Sequence, residues 1–281
     1  MGVTFISIDP VATLNEIVTD FESANNVTLS PASPEYNFCA AMAYRIVLQN
    51  ERFNAAINGM LIQFSTAPLL DYLVALLGVT RLPAAYAVCT LQFTLIAGHG
   101  PVVIPQNTRV ISKDGQFTFA TVADCSIDAN TNVVNVDAEC QVAGAAANNY
   151  AIGTISQIQD IQAYLSSCSN IDVTSGGSDA ETDSQLQARA QLAPASFSVA
   201  GPSAAYKAMA MSASPLIVDV AVQSQDDDPT IPAGQINLYP LLAGGQLAND
   251  ALLAEILSVC SAQTKRPLDD QVVVLNPAQV N

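Results

Sequence analysis

The residues best suited to chemistry lie in the stretch GGSDAETDSQLQARAQLAP, at positions 176–194. Asp179, Glu181 and Asp183 put three carboxylates within five residues, and Arg189 is the one base that follows them. Neighbouring carboxylates serve as general acid and base in hydrolases, and carboxylate oxygens also bind hard cations. No nucleophile–base spacing accompanies the stretch, and no second acidic motif complements it. We therefore expect no catalysis here, and a hydrolase that uses Asp179 and Glu181 is kept as a rival hypothesis.

The same stretch has the features of a helix N-terminus. Ser178 and Glu181 have the spacing of a capping box, in which each side chain satisfies a free backbone N–H group. Gly176 and Gly177 allow a sharp entry, and acids in a first turn are favoured by the helix dipole. The sequence therefore predicts a helix over residues 179–193 with Ser178 as its N-cap.

A second acidic run is formed by Asp226, Asp227 and Asp228 in SQDDDPTIPAGQ. Calcium loops place their oxygen ligands at alternating positions and end on a bidentate glutamate, and both features are missing here. We predict a solvated loop between two strands. A calcium-dependent binding or adhesion module that uses these three residues remains the second alternative.

Histidine and cysteine usage argues against a metal site or a cofactor. The single histidine, His99, lies between two glycines, and we predict an exposed loop residue. No two cysteines form a CxxC pair, so a zinc site is not expected. Without a secretory signal at the N-terminus, reduced and buried thiols are favoured over disulfides. The cysteines are Cys39, Cys89, Cys125, Cys140, Cys168 and Cys260.

The charge balance excludes one class of partner. The chain of 281 residues has 25 acidic against 9 basic residues and a net charge of −16, which is unsuited to the phosphates of nucleic acids. Only 12% of the residues are charged and 50% are hydrophobic, which favours a surface partly covered by other subunits. No run of eighteen apolar residues is present, so we expect no membrane span.

The clearest periodic pattern lies in residues 34–64, where apolar positions alternate at spacings of three and four. This heptad pattern predicts one helix of about 45 Å, capped by Ser33, whose seam is buried by other chains rather than by its own domain. An ordinary core helix is the alternative. Asn50 within the seam favours a bundle, because a lone asparagine fixes register and partner number. The seam consists of Tyr36, Cys39, Ala43, Ile46, Asn50, Phe53, Ile57, Met60 and Phe64.

The remaining periodicity predicts a multidomain α+β protein. Residues 86–160 alternate with period two around an Asp-Gly turn at 114–115, which is typical of a small antiparallel β domain. The last third has the order α-α-β-β-α-β, which predicts an α+β sandwich. We expect an N-terminal helical bundle-forming region at 1–82, the β domain at 83–170 and the α+β domain at 171–281.

The stretch around position 180 also carries a resemblance. GGxDxETDxxLxxR, from Gly176 and Gly177 through Thr182 to Arg189, resembles the signature of the baseplate J-like family of contractile-tailed phages and related injection machines. Gln187 stands where that family commonly has arginine. Further similar segments follow in the family's order: DYLVALLGVTR (71–81), VVIPQNTRVISKDGQFTF (102–119), AECQVAGAAANNYAIGTI (138–155), FSVAGPSAAYKAMA (197–210), PLIVDVAV (215–222) and RPLDDQVVV (266–274).

The resemblance implies a structural protein without catalytic activity. Members of the family are baseplate wedge components, in which two copies bundle their N-terminal helices with a third protein and six wedges close a ring around the tail hub. The implied partners are a second copy and other wedge proteins, with hub or spike and fibre-attachment proteins as further candidates. The implied location is the virion tail baseplate, assembled in the host cytoplasm.

Overall fold

The computed structural model describes residues 2–197, 202–262, 266–267 and 269–278. Residues 198–201 and Leu268, which belong to the segments that resemble the family, lie outside the described residues. The contacts divide the chain into two compact units, Met1–Thr80 and Arg81–Asn281. The predicted boundaries after residues 82 and 170 stay predictions.

The N-terminal unit is helical. Asp9 accepts hydrogen bonds from the backbone of the first turn of α1, and Ser33 does the same for α2, so the predicted cap of the second helix is confirmed. The predicted end of the second helix at residue 64 is wrong, because α2 ends at Gly59, a residue of low helix propensity, and tight turns follow. The helices are α1 (Pro10–Asn25), α2 (Pro34–Gly59) and α3 (Leu69–Ala75).

The second unit begins with a six-stranded antiparallel sheet in the order β7-β3-β4-β6-β1-β8. Its two end strands contact each other, so the sheet nearly closes into a barrel, while β2 and β5 pair separately. The predicted Asp-Gly turn joins β3 to β4, with Gly115 at φ +74°. The strands are β1 (Tyr86–Leu95), β2 (Val102–Ile104), β3 (Arg109–Ser112), β4 (Thr118–Thr121), β5 (Cys125–Ile127), β6 (Val133–Ala143), β7 (Ile155–Ile158) and β8 (Leu165–Asn170).

A three-stranded sheet with helices follows in the same unit. The central strand β10 pairs antiparallel with β9 and parallel with β11. The α+β class and the predicted element order are therefore confirmed. The elements are α4 (Asp183–Leu192), α5 (Ser203–Met211), β9 (Ile217–Gln223), β10 (Gln235–Leu242), α6 (Asp250–Cys260) and β11 (Gln271–Val274).

Among the described residues, two apolar cores are present, and both lie in the second unit. One fills the barrel around Leu91, Phe93 and Phe119, and the other lies between the three-stranded sheet and helices α5 and α6. All six cysteines are free thiols, and burial raises the pKa of Cys89 and of Cys168 to about 12. These two thiols therefore stay protonated and unreactive at neutral pH. No described helix is both long and apolar enough to cross a membrane.

Candidate functional site

The two glycines of the acidic stretch fit where the backbone is too close to another segment for a side chain. A Cβ atom on Gly177 would lie 2.4 Å from the carbonyl oxygen of Gly144. The Gly177 backbone also exchanges two hydrogen bonds with the Asn148 amide, at 2.9 and 2.7 Å. Gly176 has φ +87°, a left-handed conformation that favours glycine. The pair thus holds the chain against the turn that follows β6.

The two residues that follow continue this attachment. Ser178 and Ala85 form an antiparallel bridge through two backbone hydrogen bonds of 2.9 and 3.2 Å. The Asp179 carboxylate accepts a hydrogen bond from the backbone N–H of Ala145, at 3.1 Å. Asp179 is therefore engaged in holding a loop, an arrangement with no nucleophile in it.

Glu181 is a buried carboxylate in an ion pair. Its Oε2 atom accepts hydrogen bonds from Arg189 Nη1 and from the backbone N–H of Leu82, both at 2.9 Å. The side chains of Glu181 and Arg189 are 1% and 9% exposed. Because a buried charge is costly without a partner, this pair fixes helix α4 against the segment that leads into the barrel.

The predicted capping box is wrong in its residues. Helix α4 begins at Asp183 with Thr182 as N-cap, and Thr182 and Gln185 form the reciprocal box. Ser178 lies four residues before the cap, where the bridge to Ala85 holds it in an extended conformation. Glu181 could not serve the box because its carboxylate points to Leu82 and Arg189.

Arg81 was not identified as a site residue from the sequence. Its guanidinium donates to the carbonyl oxygen of Glu181 and to Asp183 Oδ1, both at 2.7 Å. About a hundred residues separate Arg81 from these partners, so no local spacing could indicate the contact. Together the two arginines and two acids clamp the start of α4 with alternating charge.

A small cavity of about 200 Å³ lies beside the buried ion pair and is lined by Glu181, Arg189, Met211, Pro215 and other residues. Glu181 Oε1 and Ser178 Oγ are buried and have no hydrogen-bond partner in the part of the chain that the structure describes. No nucleophile–base pair accompanies them. The arrangement of the acidic stretch fits structural work better than hydrolysis.

Two of the three carboxylates of the 226–228 run are engaged in turn formation. Asp227 Oδ2 accepts from the Ser224 backbone N–H and Asp228 Oδ1 from the Thr230 backbone N–H, both at 2.9 Å. Among the described residues, no group of three histidine, cysteine or acidic side chains has a geometry that could hold a metal ion. The calcium hypothesis gains no support from this geometry.

His99 does not lie in solvent, so that prediction is wrong. The residue is 3% exposed, and its ring nitrogens lie 2.6 Å from the Gly100 carbonyl oxygen and 3.1 Å from that of Thr131. The imidazole thereby holds the β1–β2 loop against the loop between β5 and β6. No local pattern indicates this contact, since Thr131 is distant along the chain.

The predicted helix seam divides into two parts in the structure. Cys39 and Ala43 are buried within the chain itself, which differs from the expectation that other chains bury the seam. Tyr36, Asn50, Ile57 and Phe64 are half-buried. The three other seam positions, Ile46, Phe53 and Met60, are exposed.

The exposed seam residues belong to a longer row of apolar side chains. At 100° per residue, five such residues fall within an arc of about 80° on α2 and its C-cap. The exposed row, as we call it, consists of Phe38, Met42, Ile46, Phe53 and Met60.

Three asparagines on another side of α2 bind the backbone of residues 3–7. Asn58 exchanges two hydrogen bonds of 2.8 Å with the N–H and C=O of Val3. The Asn54 side chain accepts from two successive N–H groups, at 2.9 Å, and donates to the Ile6 carbonyl at 2.7 Å. Asn50, expected to meet a polar group across a bundle, donates to the Ser7 carbonyl of its own chain, at 3.0 Å.

We call Asn50, Asn54 and Asn58 the asparagine ladder. Asn50 is a candidate from the sequence, whereas Asn54 and Asn58 were not identified there. The signal was present, because positions 50, 54 and 58 are four residues apart and so lie along one side of a helix. The spacing could not show that these side chains bind the backbone of the same chain.

Comparisons with known proteins find matches to two segments of the second unit. Residues 90–177 match the family model "Baseplate J-like protein barrel domain", and residues 198–276 match "Baseplate J-like central domain". One similar solved structure is "Cryo-EM structure of the anti-feeding prophage (AFP) baseplate, 6-fold symmetrised". It is 14% identical, with a TM-score of 0.47, and the match covers 95% of this chain and 71% of that one. No curated protein sequence matches the chain.

Proposed function

The chain belongs to the baseplate J-like family, and from that membership we propose that it is a wedge protein of a contractile tail baseplate. The family gives it a structural role in a baseplate. The finer proposal is that its N-terminal helices bundle with a second copy and with other wedge proteins, and that six wedges close a ring around the tail hub. Hub or spike and fibre-attachment proteins are further candidate partners.

The observation that carries this proposal is the exposed row on α2. Among residues 2–80, four apolar side chains are buried, namely Cys39, Ala43, Leu70 and Val74, while all five members of the row are exposed. Apolar side chains aligned on one side of a helix are typical of a surface that another helix covers. The row thus supports bundling, and it moves the proposed contact from the whole heptad seam to the exposed part of the helix.

The distribution of charge supports contact between copies through this helix. Helix α2 contains two arginines and two glutamates and therefore has no net charge, in a chain of net charge −16. Two copies of such an acidic chain repel each other over most of their surface. Because α2 has no net charge and carries an apolar row, two copies can meet there without this electrostatic repulsion.

The other finer proposals follow from the same assignment. We propose that the protein acts in the virion tail after assembly in the host cytoplasm, without catalytic activity and without binding nucleic acid or membranes. The acidic signature supports a non-enzymatic role, because Asp179 and Glu181 both serve contacts within the chain.

The experiment introduces one charge on either side of the same helix. Phe53→Asp places a carboxylate in the exposed row, and the unpaired charge would be buried in a bundle. Tyr44→Asp is the matched control, because Tyr44 is an exposed aromatic on the opposite side of α2. Native mass spectrometry and sedimentation would compare wedge complexes formed by each variant with the other baseplate proteins. We expect Phe53→Asp to abolish assembly and Tyr44→Asp to assemble like the parent. Equal assembly by both variants would overturn the proposal.

A further inference from the structure

The asparagine ladder recognises a peptide backbone and uses no side chain of the bound segment. All six hydrogen bonds join asparagine amides to N–H or C=O groups of residues 3–7. An asparagine amide offers the same donor and acceptor types as a peptide group. Four helical residues rise about 6 Å and two extended residues span about 6.6 Å, so successive asparagines meet successive parts of the segment.

Glycine at one end lets the segment lie close to the Asn58 side chain. A Cβ atom on Gly2 would lie 2.8 Å from Asn58 Oδ1 and 2.9 Å from its Cγ atom. The ladder therefore suits this particular segment, residues 2–8, which we call the N-terminal segment. The cap of α1 is separate from this contact, because Asp9 receives the hydrogen bonds of Val11 and Ala12 within the helix itself.

Docking on the ladder leaves the apolar residues of the segment partly exposed. Val3, Phe5, Ile6 and Ile8 are between 37% and 48% exposed. Within one chain the segment is thus held by polar contacts while more than a third of the surface of each apolar residue stays open to a partner. The segment has no charged residue, so a second acidic copy can approach it without repulsion.

From these observations we propose that the ladder presents the N-terminal segment as an apolar interaction surface for the N-terminal unit of a second copy of this chain. The inference rests on the proposed bundling and extends it to a surface outside the helices. A contact between two identical copies about a twofold axis uses the same patch on both, so each copy contributes its segment. The side chains of Phe5 and Ile8 are the ones whose burial carries the contact.

The test separates the surface of the segment from its docking. Phe5→Ser with Ile8→Ser removes apolar side chains and leaves the ladder intact. Asn54→Leu removes three hydrogen bonds and releases the segment. Thr4→Ala is the control for the first variant. Asn37→Leu, the same substitution at an exposed position of α2, is the control for the second.

Sedimentation of the full chain would measure self-association, and hydrogen exchange at Phe5 and Ile6 would report docking. We expect the segment variant to weaken association about tenfold or more while exchange stays slow, because the lost contact is apolar. We expect Asn54→Leu to weaken association and also to accelerate exchange at both amides. The two controls should match the parent.

Two results would overturn the inference in different ways. If the segment and ladder variants associate like the parent while Phe53→Asp does not, the segment is no part of the interface and the helix bundle stands. If the parent chain does not associate, or if Phe53→Asp associates equally well, the bundle fails and this inference fails with it.

Discussion

The N-terminal unit exposes apolar side chains of the same size as those that the second unit buries. Phe53 on α2 is 49% exposed, whereas Phe93 and Phe119 in the barrel are fully buried. The second unit contains two apolar cores, and α1 in the first contains no buried residue. Burial of apolar surface is the main favourable term in folding. The comparison teaches that the second unit has the core of an independent domain, while the first leaves apolar side chains exposed, which are the ones that the proposed bundling would bury.

The largest expected effect concerns the buried ion pair of the second unit. Glu181→Ala removes the carboxylate from the buried pair with Arg189 and leaves that buried charge without its counter-ion, and we expect a loss of about 3–5 kcal/mol in the free energy of unfolding. Chemical denaturation of the purified chain measures this loss. The control is Lys207→Met, which breaks a pair with Asp219 at the surface, where we expect about 0–1 kcal/mol. Similar losses in both variants would show that the buried pair has no special role.

Two substitutions of a large apolar residue by alanine, one in each unit, compare the two units directly. Ile256→Ala empties a fully buried position in the second unit and should cost about 2–5 kcal/mol. Phe53→Ala removes a larger side chain from the exposed row and should change the stability of the single chain by about 0.5 kcal/mol or less. Thermal melts at low concentration measure both. A strong destabilisation by Phe53→Ala in a monomer would mean that the N-terminal unit has a core of its own.

Gly177→Ala tests the close approach of the acidic stretch to the loop after β6. Its new methyl group would overlap the Gly144 carbonyl, and relieving the overlap should cost about 1–3 kcal/mol. Gly100→Ala is the control, since no atom lies within 4 Å of the position of its Cβ. Denaturation curves of the two variants should therefore separate, and superimposed curves would contradict the packing described for Gly177.

The corrected cap of α4 predicts opposite results at two hydroxyl residues. Thr182→Ala removes the N-cap and should cost about 1 kcal/mol. Ser178→Ala should be neutral or stabilising, because its buried hydroxyl has no hydrogen-bond partner among the described residues. Melting temperatures of the full chain distinguish the two. A cost at Ser178 and none at Thr182 would restore the capping box expected from the sequence.

The smallest expected effect is the contribution of one carboxyl group, that of Asp160, to the free energy of unfolding at acid pH. Hydrogen bonds from Arg109 lower the pKa of Asp160 to about 2. A carboxyl group with a lowered pKa adds stability above its ordinary value of 3.8, and this contribution is lost as the pH falls through about 2. Asp160→Asn should remove this part of the pH dependence. Both groups are partly exposed, so the change is small. Unfolding measured from pH 5 to pH 2 with parent and variant checks it.

Two local signals in the sequence predicted their elements correctly. Ser33 before Pro34 marks a helix start because its side chain accepts a hydrogen bond from an N–H group three residues on. Asp114-Gly115 marks a hairpin because the turn needs a left-handed residue. Each of these signals depends on atoms close along the chain, so neighbours distant in sequence do not alter it.

Errors arose where a local pattern competed with a distant partner. Ser178 and Glu181 had the right spacing for a cap, but Ala85 holds the first and Arg189 with Leu82 holds the second. His99 had no partner nearby in sequence, yet Thr131 and its own loop bury the ring. Spacing alone carries no information about which segment folds against which.

The sequence by itself determined the α+β class, the family, the charge that disfavours nucleic acid, and an N-terminal helix with an apolar heptad pattern. These depend on composition, periodicity and short motifs, which a chain carries before it folds. Only the tertiary structure decided which part of that pattern faces solvent. The side chains of Asn50, Asn54 and Asn58 form hydrogen bonds with the N-terminal segment. Cys39 and Ala43 are buried within the chain. Both follow from contacts between segments up to 55 residues apart, whose free energy depends on distances in the folded molecule.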